Sequence, residues 1–275
     1  MRKLGLIAGA GALPVSLASH CRSAGRPLFV VRLKGFAPAE LAGFDGADVG
    51  LAELGKGLDE LEKAGCEAVC FAGGVARPHL PSLVPDLRGL AALPGAIVAA
   101  RRGDDALLSF LVREFEKEGF AVEGAHEVMA ELVLPVGILG RHGPGAEHAL
   151  DIARGLDVAR AMGALDVGQG AVCCDGLILA IEAQEGTDAM LRRVADLPGA
   201  IRGAAGDRRG VFVKASKPGQ EMRVDLPTIG STTMRHAADA GLAGVVGEAG
   251  RVLVVDRPAV IRLADELGLF VLGAA

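Results

Sequence analysis

The chain has 275 residues, 51% hydrophobic and 23% charged, with a formal net charge of -5 and neither Trp nor Tyr. That length exceeds the usual single core and predicts two domains. The acidic balance, with Phe the sole aromatic residue type, excludes a nucleic-acid binder that relies on a broad basic surface or on base stacking, and no apolar run reaches the length of a membrane span.

The first half alternates strand and helix. Leu4 to Ala8 reads as a short apolar strand, AGAGALP as a turn, Leu13 to Ala24 as a helix ended by Gly25, and Leu28 to Leu33 as a second strand. A helix from Leu54 to Ala64 ends at Gly65 and leads into the strand AVCFAGG, followed by Arg77 and the proline-rich loop HLPSLVPD. Asp104 is placed to cap an amphipathic helix with Leu107, Leu108, Leu111, Val112 and Phe115 on its apolar side. Arg2 and Lys3 before an apolar stretch, with Cys21 after LASH, give a faint export-signal pattern. It fails because His20 is a poor residue before a cleavage site and Gly9, Gly11 and Pro14 break the apolar stretch.

Residues 134–148, dense in Gly and Pro, read as a linker between a domain at 1–133 and a second at 149–275. Asp151 is placed to cap a helix reaching Met162 and stopped by Gly163; AVCC and LILAIEA then flank Asp175-Gly176, a hairpin dipeptide. Thr187 is placed to cap a helix containing Met190, Leu191 and Val194. Period-two alternation over EMRVDL predicts a strand with Glu221, Arg223 and Asp225 on one face. A helix from Thr232, a strand near Leu253 and a helix from Pro258 to Leu267 complete the chain. The fold class is α/β: an N-terminal Rossmann-like parallel-sheet domain and a C-terminal α+β domain with a mixed sheet.

Five cysteines (Cys21, Cys66, Cys70, Cys173, Cys174) make neither an even disulfide framework nor a CxxC zinc pattern, which points to reduced thiols in a cytoplasmic protein. The loop from Gly9 to Pro14 follows a strand and opens a helix, so its amides suit a phosphate. The dinucleotide fingerprint wants a third glycine at Pro14 and an acidic residue where Arg32 and Lys34 stand, which counts against NAD and leaves an NADP-dependent oxidoreductase open. Glu182, Glu185 and Asp188 crowd one strand-to-helix turn, where like charges call for a cation. With Lys214, Lys217 and the charges at 221–225, the second half offers the cations and carboxylates that a phosphate ligand and a divalent metal require. The six histidines show no metal-ligand spacing, and Ser16, Ser19 and Ser231 lie in no nucleophile elbow. Asp166-Val167-Gly168-Gln169-Gly170 is a Gly-rich turn usable as the lip of a ligand site.

GLIAGAGALP, FAGGVARP, RRGDDALL, LDVGQGAV, AIEAQEGTDAMLRR and KPGQEMRVDLPTIG, in that order along the chain, resemble the LpxI family of UDP-2,3-diacylglucosamine pyrophosphatases. The resemblance implies a two-domain, Mg²⁺-dependent enzyme of Gram-negative lipid A synthesis, cytoplasmic and peripheral to the inner membrane. It would release UMP and 2,3-diacylglucosamine 1-phosphate (lipid X). It also places the family's essential aspartate on Asp225. Arg223 is expected to assist as a second catalytic residue. Asp225, Asp188 and Glu185 are the expected metal ligands. Gly11, Ala12, Gly73, Gly74, Gly168, Gln169, Thr187, Lys214 and Thr228 are the expected substrate contacts, the first six of them lining a cleft between domains. Two acyl chains call for an apolar groove, and base rates favour a homodimer. A non-catalytic nucleotide- or lipid-binding protein with the same residues is the third alternative.

Overall fold

A computed structural model describes residues 1–76, 83–219 and 221–275, with Asp104 described by its backbone alone. Arg77, residues 79–82 of the proline-rich loop, Gln220 and the side chain of Asp104 lie outside the described residues. The chain forms two compact units, Met1–Ala130 with Glu221–Asp225, and Glu131–Gln220 with Leu226–Ala275.

In the first unit, β1 (Leu4–Ala8), α1 (Ala12–Ser23), β2 (Leu28–Leu33), β3 (Gly46–Val49), α2 (Leu54–Lys63) and β4 (Ala68–Ala72) are followed by α3 (Leu87–Ala100), α4 (Asp104–Lys117), β5 (Ala121–Val122) and α5 (Ala125–Val128). The strands pair in parallel in the order β3-β2-β1-β4-β5. All five residues of β1 are buried, as a strand covered on both faces requires. α1 buries Leu17, Ala18 and Cys21, α2 buries Leu58 and Leu61, and Phe115 of α4 meets Phe71 edge-on with ring centroids 5.1 Å apart. The cap position of α4 is Gly103, at φ 126, so Asp104 is the first helical residue rather than the cap. α3 has no counterpart in the sequence reading, because Gly89, Pro94 and Gly95 interrupt its pattern. It starts where the Asp86 carboxylate accepts from the Gly89 amide at 2.7 Å.

The second unit comprises β6 (Gly137–Leu139), α6 (Ala149–Ala164), β7 (Gly170–Cys174), β8 (Leu177–Ile181), α7 (Gly186–Ala195), β9 (Val211–Lys214), β10 (Thr228–Ile229), α8 (Ser231–Asp239), β11 (Gly244–Glu248), β12 (Leu253–Val254), α9 (Arg257–Leu267) and β13 (Phe270–Ala274). Its main sheet runs β6-β13-β11-β9-β7-β8, parallel from β13 to β9 and antiparallel at both ends, while β10 and β12 form a small parallel pair. Met190, Leu191, Phe212, Met234, Val245 and Val271 are among its fully buried core residues. Within the expected linker, β6 pairs with β13.

Three further local expectations are corrected. EMRVDL is a turn, not a strand: the amides of Val224 and Asp225 both donate to the Glu221 carbonyl, each at 3.1 Å, and strand structure resumes only at Thr228. The chain folds back there because the Arg223 guanidinium grips the Glu221 carboxylate two residues earlier, while Val224 packs on the first unit's core. Asp151 is not a helix cap but lies in the first turn of α6, where its buried carboxylate accepts from the amides of Asp175 (3.1 Å) and Gly176 (2.6 Å) and so holds the β7–β8 turn. Thr187 does not cap α7, whose cap position is Glu185; its hydroxyl turns to Glu182 instead.

Candidate active site

In the first unit the two glycine loops meet. Gly11 and Ala12 follow β1, Gly73 and Gly74 follow β4, and these strands are neighbours at the point where the sheet order reverses. Ligands of open α/β sheets bind outside the carboxyl ends of the strands at such a switch point. The amide of Ala10 donates to the Gly74 carbonyl at 2.8 Å and the amide of Gly74 to the Ala10 carbonyl at 3.0 Å. A side chain on Gly9 would meet the Gly74 carbonyl oxygen at 2.7 Å, so this approach depends on glycine. Gly11, at φ 96 with open space before it, sits at the start of α1, where unpaired amides and the helix dipole favour an anion. Arg32 and Lys34, the cations that would suit an NADP phosphate, pair with Asp48 at 2.8 Å and Glu53 at 3.3 Å.

The 221–225 turn belongs to this unit. Arg223 donates through Nε and one terminal nitrogen to Glu221, and through the other terminal nitrogen to Glu116 at 2.8 Å. These bonds raise the pKa of the guanidinium further above its ordinary value, and the same grip holds the Glu221 carboxyl below the usual range. The Glu221 amide donates to Asp105 at 2.8 Å. Asp225 is thus held by a turn fixed at Glu221 and Arg223, and the residue is half-buried.

In the second unit, Gly168, Gln169, Thr187, Lys214 and Thr228 come together around a residue outside the expected set, Glu182. The Lys214 ammonium is buried and donates to Thr187 Oγ1 at 2.8 Å and to the Thr228 carbonyl at 3.2 Å; the Thr187 hydroxyl donates to Glu182 Oε1 at 2.8 Å. The other oxygen, Glu182 Oε2, is buried without a hydrogen-bond partner. The Gln169 carbonyl accepts from the Ala215 amide at 2.9 Å, just past Lys214 at the end of β9. A side chain on Gly168 would stand 2.0 Å from the Glu182 carbonyl oxygen, and one on Gly170 2.6 Å from Glu182 Oε2. Those two glycines therefore allow the Glu182 backbone and carboxylate to seat. The sequence signal for Glu182 was its acid at the end of an apolar strand, five residues before Thr187.

Glu185 and Asp188 lie on the exposed start of α7. Glu185 pairs with Arg193 at 2.8 Å, and its carboxyl is held below its ordinary value by backbone amide hydrogen bonding and by that arginine. Asp188 lies 3.3 Å from His236 Nδ1. Among the described residues, no group of three or more His, Cys, Asp or Glu side chains is arranged to hold a metal ion.

Comparison with known proteins also divides the chain, between residues 132 and 135. The family described as the LpxI N-terminal domain matches residues 3–132, and that described as the LpxI C-terminal domain matches residues 135–272. The protein named UDP-2,3-diacylglucosamine pyrophosphatase LpxI from Caulobacter vibrioides is 66% identical over 273 residues, covering 99% of this chain and 98% of that protein. With both halves matched end to end, the chain belongs to the LpxI family.

Proposed function

We propose that this chain hydrolyses the pyrophosphate bond of UDP-2,3-diacylglucosamine to UMP and 2,3-diacylglucosamine 1-phosphate, as a Mg²⁺-dependent step of lipid A biosynthesis. The observation that carries this reading is 66% identity across 99% of the chain to a protein bearing that name. The geometry supports it in two places. The start of α1 at Gly11, open beside the paired glycine loops, offers amides to an anion, and the buried Lys214 ammonium has one of its three N–H bonds still to give.

Hydrolysis of a phosphoric anhydride needs water in line with phosphorus and stabilisation of the oxygens that gain charge. In this proposal Asp225 orients the water or binds the metal. Arg223, with three of its five N–H bonds held by Glu221 and Glu116, keeps that turn rigid and offers the remaining two to phosphate oxygens. Gly11, Ala12 and Gly73 receive nucleotide or sugar phosphate by backbone, beside Gly74, whose amide is held by the Ala10 carbonyl; Lys214, Thr187, Thr228, Gly168 and Gln169 contact the substrate in the second unit. Mg²⁺ at phosphate sites is held by one or two carboxylates together with substrate oxygens and water. In this proposal Asp225 supplies such a carboxylate in the first unit, and Asp188 or Glu185 supplies one in the second. Bound there, the ion would neutralise pyrophosphate oxygens.

No described helix is long and apolar enough to cross a membrane. A diacyl substrate resides in a bilayer, so the proposal includes a cytoplasmic enzyme that meets the inner membrane peripherally, and a homodimer remains part of it on base rates. The test is mass-spectrometric product analysis of UDP-2,3-diacylglucosamine incubated with the purified protein, with Mg²⁺ or with EDTA, beside Asp225→Ala. UMP and the sugar 1-phosphate are expected only with metal and intact Asp225. An Asp225→Ala variant that turns over normally removes this residue from the mechanism, and no product in any tube refutes the activity.

A further inference from the structure

The Glu182 carboxylate has no part in the chemistry set out above, and it is among the few charged groups that the fold buries, at 7% exposure. Burying a carboxylate is costly unless it is well partnered. Yet Oε1 receives only the Thr187 hydroxyl at 2.8 Å, and Oε2 receives nothing. Close by, the Lys214 ammonium is buried to a similar degree, at 6% exposure, and among the described residues no carboxylate lies within ion-pair distance of it. Thr187 Oγ1 joins the two, accepting from Lys214 at 2.8 Å while donating to Glu182.

The direction of this chain follows from the groups themselves. A lysine ammonium can only donate, so the Thr187 hydroxyl turns its lone pairs to Lys214 and its single proton to Glu182 Oε1. Lysine brings three donors; Thr187 Oγ1 and the Thr228 carbonyl take two, and their positions set the direction of the third. A glutamine in place of Glu182 could turn its NH₂ toward Thr187. The hydroxyl would then accept from it, and its proton would swing against the ammonium.

We propose that Glu182 is a positioning residue for Lys214, acting through the Thr187 hydroxyl, so that the buried ammonium presents its third N–H to a phosphate oxygen of the substrate. This rests on the reading of the site as a pyrophosphate hydrolase. Gly168 and Gly170, where any side chain would displace Glu182, are part of the same construction.

The test is steady-state kinetics of UMP release for wild type, Glu182→Gln, Thr187→Val, Thr187→Ser and the Glu182→Gln/Thr187→Val pair, with circular dichroism and melting curves on each. Glu182→Gln and Thr187→Val are each expected to lose about tenfold or more in kcat/KM while remaining folded, the cost of misdirecting one charge-assisted hydrogen bond. Thr187→Ser restores the hydroxyl and is expected to recover most of that loss. Because Glu182 acts through Thr187, the double variant should fall no further than Thr187→Val alone. Wild-type kinetics in Glu182→Gln, or losses that multiply in the double variant, would overturn the proposal. Should wild type release no UMP, the hydrolase reading fails by itself, and inorganic pyrophosphate decides the inference. A pyrophosphate-induced rise in melting temperature that is lost in Glu182→Gln and Thr187→Val supports it, and an equal rise in all three overturns it.

Discussion

Asp151→Ala is the sharpest test of how the second unit builds its sheet. The carboxylate, 3% exposed, accepts from the Gly176 amide at 2.6 Å, the Asp175 amide at 3.1 Å and Cys173 Sγ at 3.4 Å. Asp175 and Gly176 both sit at positive φ, 50 and 74 degrees, in the tight hairpin turn between β7 and β8. Hydrogen bonds to a charged partner contribute about 1.5–3 kcal/mol each. The Gly176 amide is buried and loses its bond outright, whereas the half-buried Asp175 amide recovers part of its loss from water. The sum is about 3–4 kcal/mol of destabilisation. With no Trp or Tyr in the chain, the assay is urea unfolding followed by far-ultraviolet circular dichroism. At a slope of about 3 kcal/mol/M, the midpoint should fall by roughly 1 M. A fall below about 0.3 M would show that the turn holds its shape without Asp151.

Other predictions concern the site and its surroundings. Gly168→Ala puts a methyl group 2.0 Å from the Glu182 carbonyl oxygen, a backbone atom that cannot swing away. It should cost about 1–3 kcal/mol of stability and a large part of UMP release, and normal values of both would refute the packing. Hydrogen bonds from Arg223 hold the Glu221 carboxyl below its ordinary value. Its contribution is therefore complete above the unfolded carboxyl pKa of about 4.3 and is lost as pH falls through the lower folded value. The urea-midpoint gap between wild type and Glu221→Gln should accordingly shrink from pH 7 to pH 3, and a gap independent of pH would contradict the pairing. Burial pushes the thiols of Cys66 and Cys174 up to about 11 and that of Cys173 up to about 12, and raises those of Cys21 and Cys70. A thiol-exchange reagent at pH 7.5 should find almost no reactive cysteine in the native protein and all five after denaturation, while rapid native labelling would mark a thiolate that the packing does not allow.

What could be read from the sequence was governed by range. β1 and β2 run over Leu4–Ala8 and Leu28–Leu33, as their apolar runs and flanking glycines indicate, and α9 begins one residue before the expected Pro258. These elements are specified by their own residues. α3 was hidden because Gly89, Pro94 and Gly95 are poor helix formers whose cost is offset in this fold by the Asp86 cap and by packing that no local window contains. EMRVDL misled in the opposite sense. Alternation of charge and apolar side chain fits a strand, but it equally fits a turn in which Arg223 reaches back to Glu221 and Val224 faces a core.

The same distinction separates the two cations proposed to meet phosphate. In the sequence Arg223 and Lys214 are both basic residues beside apolar neighbours, and nothing local ranks one above the other. In the fold, Arg223 is neutralised by Glu221 and Glu116, whereas Lys214 is buried with two neutral oxygens and, among the described residues, reaches a carboxylate only through a hydroxyl. A guanidinium already paired gains little from an arriving anion, while an ammonium out of water with an uncommitted donor gains a great deal. Lys214 is therefore the cation whose interaction with phosphate should change most on binding, and Arg223 the one whose charge is spent on the shape of the turn that carries Asp225. That division depends on Glu182, Thr187 and Thr228 converging on one ammonium from separate segments. Residue types alone could nominate Lys214 as a phosphate ligand, but only the folded arrangement distinguishes it from a cation that holds the scaffold.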